Sequence, residues 1–364
     1  MAKGKLVLLG SGETAPGMTK VHRELLSGLG EVRAVNLDTP YGFQLNVPQM
    51  TQKLVDYFKV SLQTDLKPLS FTNYEKASGV ERELFRQSVR EANYVFAGPG
   101  SPSYALAQWK GLDLQEDLLH VIDNGGVVCF SSAAALTLGA FTAPIYEIYK
   151  AGAEPYWLEG LNLMGLLGIN CAVIPHFNNA EGQDYDTSCC YLGEERLNIL
   201  ERKLTQHVPI LGVDEHTAIL INQEENSVLV NGKGNAYWRF NGLLRMLEND
   251  QFIPFESIIN EQTATEFINQ ETITQPLGSR SSIDLAKLTE HGGSVGTSAL
   301  AELVHRSMAF ESSNLLINGM LRLRAVAREK GNFQIADEIR ELLTEAQVKI
   351  EDGPNGTFWS IKSI

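Results

Sequence analysis

Val127-Val128-Cys129-Phe130-Ser131-Ser132-Ala133-Ala134-Ala135-Leu136 is the stretch that decides the fold. Residues 127–130 are apolar without alternation, as in a strand buried on both faces, and residues 133–136 are small helix formers. Two serines fill the turn between them. A strand, a sharp turn and a helix in that order form an elbow. Its apex exposes a side chain and the helix amides aim at the same point, where an oxyanion would develop.

The same rhythm runs outward from this stretch. Residues 6–9 lead into Gly10-Ser11-Gly12 and a helix-period segment at 21–29, and residues 32–37 into Asp38-Thr39-Pro40 and 48–62. Residues 94–97 lead into Gly98-Pro99-Gly100 and 103–109. Apolar runs alternating with helices predict an α/β fold with a mostly parallel sheet, whose sites lie at the C-terminal ends of the strands. From 170 to 240 the runs at 171–174, 210–213, 218–221, 228–230 and 237–240 surround one helix at about 193–203. Hairpins at the far edge of the sheet are the simplest account.

Residues 241–296 open with a helical stretch at 243–248, then become rich in Gln, Thr, Ser and Gly, as a linker or extended arm does. Beyond them, 298–330 and 333–346 read as helices. Residues 348–361 read as a hairpin turning at Gly353-Pro354-Asn355-Gly356. The expected domains are therefore 1–240 and 297–364, joined by 241–296.

Charge supports that boundary. The chain carries 30 Lys and Arg against 44 Asp and Glu, a net charge of −14, whereas from residue 301 onward eight basic residues meet nine acidic ones. The acidic part disfavours general binding to nucleic acid or anionic membranes, which needs clustered Lys and Arg, but the near-neutral tail escapes that argument. Four cysteines without CxxC spacing argue against a disulfide scaffold or a zinc site, and no metal or cofactor is expected. The apolar run after the basic start is too short for a signal peptide, and no 18-residue apolar stretch occurs. A cytoplasmic protein with no membrane contact is the expectation.

The elbow leaves its apex open. Ser132 would be flanked two residues away by Phe130 and Ala134, and Ser131 by the smaller Cys129 and Ala133, so sterics favour Ser131. An N-cap serine is the plain alternative to a nucleophile. A nucleophilic serine needs a base, and His176 directly follows the apolar run 171–174; Asp214 or Glu215, after 210–213, could orient its imidazole. The Gly98–Ser101 turn could add a backbone oxyanion donor. Strand-end position also makes Glu13, Tyr41, Tyr146, Asn178 and Asp186 pocket candidates. A competing pattern, Gly10 to Ala15 followed by Asp38, fits G-x-G-x-x-A, but Pro16 and Gly17 interrupt the helix that should begin inside a dinucleotide motif.

These residues resemble the S51 peptidases, the group of dipeptidase E and cyanophycinase, built on a class I glutamine amidotransferase-like three-layer sheet. The resemblance covers about 3–240. The family motif G-x-S-A-G-A overlays Phe130-Ser131-Ser132-Ala133-Ala134-Ala135, which makes Ser132 the matching serine; the strand-end histidine matches His176 and the family acid matches Glu215. The resemblance implies a serine hydrolase acting on a small peptide or amide, with Gly100 and Ala133 N–H groups at the oxyanion. Both elbow glycines are replaced here, by Phe130 and Ala134. The Arg-rich stretch that follows the histidine in cyanophycinases is here Asn178-Asn179-Ala180-Glu181-Gly182, which does not support an aspartate-backbone substrate with Arg side groups.

The tail, Ala327 to Arg340 followed by Ile350-Glu351-Asp352-Gly353-Pro354-Asn355-Gly356-Thr357-Phe358-Trp359, resembles the C-terminal domain of cysteinyl-tRNA synthetases. The synthetase signatures HIGH and KMSKS do not accompany it. The resemblance admits a tRNA contact, while the plainer reading of the tail is a packing element, including one that forms a homodimer. The alternative to a hydrolase is thus a non-catalytic binding protein whose tail is an RNA or protein adaptor.

Overall fold

In the computed structural model the apolar runs become β1 (Lys5–Leu9), β2 (Ala34–Leu37), β3 (Leu66–Leu69), β4 (Tyr94–Ala97) and β5 (Val127–Ser131). Five helices lie between them, α1 (Pro16–Ser27), α2 (Val47–Ser61) and α3 (Gly79–Glu91) one to a crossover, and α4 (Pro102–Trp109) and α5 (Leu114–Asp123) together between β4 and β5. A single turn, α6 (Ala133–Leu136), follows β5. The structure describes residues 3–182, 184–204, 208–240, 242–247, 249–250, 252–254, 320–321, 324, 327–328, 332–345, 348–353 and 356–361. It falls into two units, Met1–Ala264 and Thr265–Ile364.

Strands β1, β5, β4, β2 and β3 lie side by side in that order, all parallel. Successive residues of a strand face opposite ways, and here both faces are apolar. Val7, Leu9, Val127 and Cys129 pack with Met18, Val21 and Leu25 of α1 and Phe58 of α2. Leu6, Leu8, Val128 and Phe130 pack with Phe85 and Val89 of α3, Trp109 of α4 and Leu118 of α5. Each fully buried side chain of this size contributes about 1.5–3 kcal/mol, so covering both faces is what makes the unalternating runs favourable. The three-layer, mostly parallel α/β expectation is met.

Local chemistry sets the helix starts. Ser78 and Glu81 close a capping box on α3, with Glu81 N–H donating to Ser78 Oγ at 3.2 Å and Ser78 N–H to Glu81 Oε2 at 2.7 Å. Pro16 does not interrupt a helix; it opens α1, where its missing N–H costs nothing. The Gly10–Ala15 turn therefore precedes the helix instead of entering it, and the aligned amides of a dinucleotide motif are not formed there.

The second half meets the expected edge of hairpins in part. After two short strands, β6 (Phe141–Thr142) and β7 (Leu158–Glu159), with α7 (Ile145–Tyr149) between them, come α8 (Leu163–Leu166) and β8 (Ala172–Ile174). Then follow α9 (Gly193–Lys203), β9 (Ile210–Val213), β10 (Thr217–Asn222), β11 (Ser227–Gly232) and β12 (Ala236–Phe240). Of these, β10 and β11 extend the main sheet, β10 antiparallel beside β1 and β11 antiparallel beside β10. Strands β8, β9 and β12 belong to a second sheet. The chain changes sheets between Val213 and Thr217, at a corner where His216 has φ +55°.

The helix expected at 243–248 is instead a strand, β13 (Leu243–Leu247), paired antiparallel with β12. An apolar run that short does not separate helix from strand by period, and the tight connection containing Gly242 at φ +72° makes a hairpin. Within the stretch read as a linker, β14 (Phe252–Pro254) also pairs with β11. The rest of that stretch, and most of the helix expected over 298–330, lies outside the described residues.

In the second unit, α10 (Phe333–Glu345) precedes the hairpin of β15 (Val348–Gly353) and β16 (Gly356–Ile361). Ile339, Leu343, Val348 and Ile350 pack with Met320 and Leu321. Among the described residues, no helix is long and apolar enough to cross a membrane.

Candidate active site

Register brings three strand ends to one place. Parallel pairing sets Leu9 beside Ser131, antiparallel pairing sets Leu9 beside Ala218, and in the second sheet Ile174 lies beside Gly212. The residues just past β5, β8 and β9 therefore converge around Gly10. His176 N–H donates to Gly10 O at 3.3 Å and Ser132 N–H to Leu9 O at 3.0 Å.

Ser132 sits at φ 52°, ψ −119°, a conformation that costs a non-glycine residue about 1–3 kcal/mol. The core supports it: Phe130 is buried against Trp109 with ring centroids 6.0 Å apart, and Ala134, also buried, donates its N–H to Gly98 O at 3.3 Å. The two residues that stand in for the elbow glycines are thus absorbed by packing. Ser132 Oγ lies 2.8 Å from His176 Nε2. Ser131, which sterics favoured, faces the other way, and its buried hydroxyl donates to Glu13 Oε2 at 3.0 Å.

His176 Nδ1 lies 2.7 Å from Glu215 Oε1. With Nδ1 donating to the carboxylate, Nε2 is left to accept the serine proton, the tautomer assigned from the hydrogen-bond network. The bond from His176 holds the Glu215 carboxyl below its ordinary range, against partial burial, and the Asn179 amide helps from 3.3 Å. Glu215 N–H donates to Asn178 Oδ1 at 2.8 Å.

Asp214, the other candidate acid, is 3% exposed and takes hydrogen bonds from Asn235 N–H and Tyr237 O–H on Oδ2. Burial pushes its carboxyl up to about 6. It clamps the corner, and does not contact the imidazole.

Gly100 has φ +149°, and a Cβ there would come within 2.0 Å of Pro40 O, so the turn after β4 requires glycine. Ala133 opens α6 and its N–H has no intrahelical acceptor. Both amides follow adjacent strand ends.

The pocket candidates separate. Glu13 is tied to Ser131, and Asn178 to the backbone of Glu215. Tyr41 is 3% exposed, and its hydroxyl is engaged with Asn36 and Thr51 at 2.8 and 3.1 Å, so it braces the turn after β2. Asp186 accepts from Ser188 N–H at 2.9 Å and Glu194 N–H at 2.7 Å and so caps the start of α9. Partial burial pushes its carboxyl up, and those hydrogen bonds outweigh this to leave it below the usual range. Tyr146, on α7, is partly buried with Lys150 Nζ 4.7 Å from its ring centroid.

Sequence reasoning missed Asn179 and the turn Cys189-Cys190-Tyr191. All three residues of that turn have positive φ, 55°, 61° and 65°, without a glycine to signal it. The turn is bonded to the histidine loop, Cys189 N–H to Phe177 O at 2.9 Å and Cys190 N–H to His176 O at 3.1 Å.

No family model matches the chain. The crystal structure of a peptidase from an acI-B1 Actinobacterium superposes with a TM-score of 0.56 at 21% identity, over 70% of this chain and 98% of that one. The cysteine–tRNA ligase of Bifidobacterium longum (strain NCC 2705) is 53% identical over 47 residues, 13% of this chain and 9% of the ligase. That of Thermosipho africanus (strain TCF52B) is 41% identical over 54 residues, 15% of this chain and 12% of the ligase. The chain thus spans about a tenth of the length of these curated relatives. It joins the fold of a peptidase structure to a C-terminal region similar to a short stretch of cysteine–tRNA ligases.

Proposed function

We propose that the chain is a serine hydrolase of the S51 type that cleaves a small peptide or amide. The observation that carries this is the unbroken chain of contacts from Ser132 Oγ through the His176 ring to Glu215, at 2.8 and 2.7 Å. Ser132 attacks the carbonyl carbon while His176 Nε2 takes its proton. Glu215 stabilises the imidazolium, and the N–H groups of Gly100 and Ala133 receive the oxyanion. His176 then passes the proton to the leaving amine, and water, activated by the same base, releases the acyl group from Ser132.

Ser132→Ala should abolish both hydrolysis and labelling by a fluorophosphonate probe, with the circular dichroism spectrum unchanged. Labelling that survives in Ser132→Ala and disappears in Ser131→Ala would move the nucleophile by one residue.

The similarity to cysteine–tRNA ligases favours a second reading for the C-terminal region, an adaptor that contacts RNA. Full-length protein should then bind tRNA with an affinity that falls steeply as salt rises, since phosphate contacts release counterions. Affinity no better than that of an unrelated acidic protein ends this reading.

A further inference from the structure

Beside the base, three tyrosines form a wall that the hydrolase reading does not use. The Tyr191 ring centroid lies 6.4 Å from that of His176 and 5.1 Å from that of Tyr149, and Tyr149 stacks with Tyr185 at 6.5 Å and 24°. Tyr149 comes from α7, Tyr185 from the loop after β8, and Tyr191 from the left-handed turn. Each left-handed non-glycine residue of that turn costs roughly 1–2 kcal/mol. The strain is held by bonds to the carbonyls of Phe177 and His176, which fixes Tyr191 next to the histidine.

The polar ends of these rings are already paired. Tyr149 and Tyr185 hydroxyls lie 2.8 Å apart, and Tyr191 O–H donates to Glu181 Oε2 at 2.6 Å. Hydroxyls held in this way leave ring faces and edges as the free surface, and Tyr185 is 56% exposed. Ring surfaces of this kind favour a planar or large apolar group. The Glu181 carboxylate in the same wall repels an acidic side chain, and it already accepts the Tyr191 hydroxyl.

Position in the reaction decides which part of the substrate meets the wall. A general base that becomes the general acid hands its proton to the leaving nitrogen, so groups around it border the amine side of the scissile bond. Resting on the hydrolase reading, we infer that Tyr149, Tyr185 and Tyr191 form the subsite for the residue on the amine side of the scissile bond, and that this residue is aromatic or large and apolar.

The test uses the full chain with dipeptide pools whose first residue is randomised and whose second is fixed as Phe, Leu, Asp or Arg. Release of the second amino acid is read by mass spectrometry, and fluorophosphonate labelling of Ser132 is followed in parallel. Phe should be released at least about tenfold faster than Asp or Arg, within the range over which pocket contacts discriminate. Tyr185→Ala should narrow the Phe-to-Asp ratio several-fold, and Tyr185→Phe, which keeps the ring, should restore most of it. Equal rates, Asp or Arg leading, a ratio untouched by Tyr185→Ala, or no release from any pool while Ser132 still labels would each overturn the subsite. Absence of labelling would instead remove the hydrolase reading, and the subsite with it.

Discussion

The two halves of the first unit handle backbone strain differently. Among the described residues up to 131, only Gln63 and Asp113 are non-glycine residues at positive φ; from 132 to 250 there are nine, including Ser132, His176 and His216. The first half is a parallel sheet covered by regular helices, and its contribution to the candidate site is backbone and support: the Gly100 turn, the Leu9 and Gly10 carbonyls, and Glu13 beneath Ser131. In the second half the chain changes sheets and turns sharply wherever a side chain is brought to the centre. A rigid parallel scaffold can hold such strained turns because its own residues sit in low-energy conformations.

Two neighbours at the sheet-switching corner sharpen this division, since Glu215 faces the imidazole and Asp214 faces the packing. The larger effect should come from Glu215→Gln. A neutral amide cannot stabilise the imidazolium, and its NH2 group competes for Nδ1, which favours the wrong tautomer. Hydrolysis should fall by about 10²–10⁴-fold in kcat, the scale on which loss of a base's acidic partner acts, with little change in the unfolding midpoint. A loss smaller than tenfold would mean that the strained corner positions structure and not chemistry.

Legibility in the sequence follows the same division. Strands β1, β2, β4 and β5 could be read because burial on both faces leaves unalternating apolar runs between glycine-rich or polar turns. The hairpin of β15 and β16 could be read because its turn residues are local. Sheet membership of β8 to β12 could not, because short runs of the same composition suit either sheet and the choice depends on pairing partners far away in the chain. β13 was hidden by an apolar stretch too short to carry a period. At the site, the residue types and strand-end positions of Ser132, His176 and Glu215 follow from the sequence and its family resemblance. Composition could not reveal that Tyr41 is braced by Asn36 and Thr51, that Asp186 caps a helix, or that Cys189-Cys190-Tyr191 turns left-handed without glycine. These depend on tertiary hydrogen bonds that override local preference.

The smaller effect belongs to Asp214→Asn and is read in stability, not in turnover. Oδ1 of Asp214 is buried without a hydrogen-bond partner, and burial pushes its carboxyl up to about 6. An unfolded chain returns it to about 3.9. Between these values the folded state binds more protons than the unfolded state, so the contribution of Asp214 is full at lower pH and is lost as pH rises through about 6. The difference amounts to about 3 kcal/mol at most, from roughly two pKa units at 1.36 kcal/mol each. Asparagine has no such titration, and its carbonyl can still accept from Asn235 and Tyr237. Urea unfolding of both proteins from pH 4 to 7.5 should therefore show the wild type losing stability relative to Asp214→Asn across pH 4–6, with the difference constant above pH 7. A pH-independent difference would mean that Asp214 folds as an ordinary ionised carboxylate, and the corner would lose its distinction between a buried acid that holds the turn and an ionised one that serves the histidine.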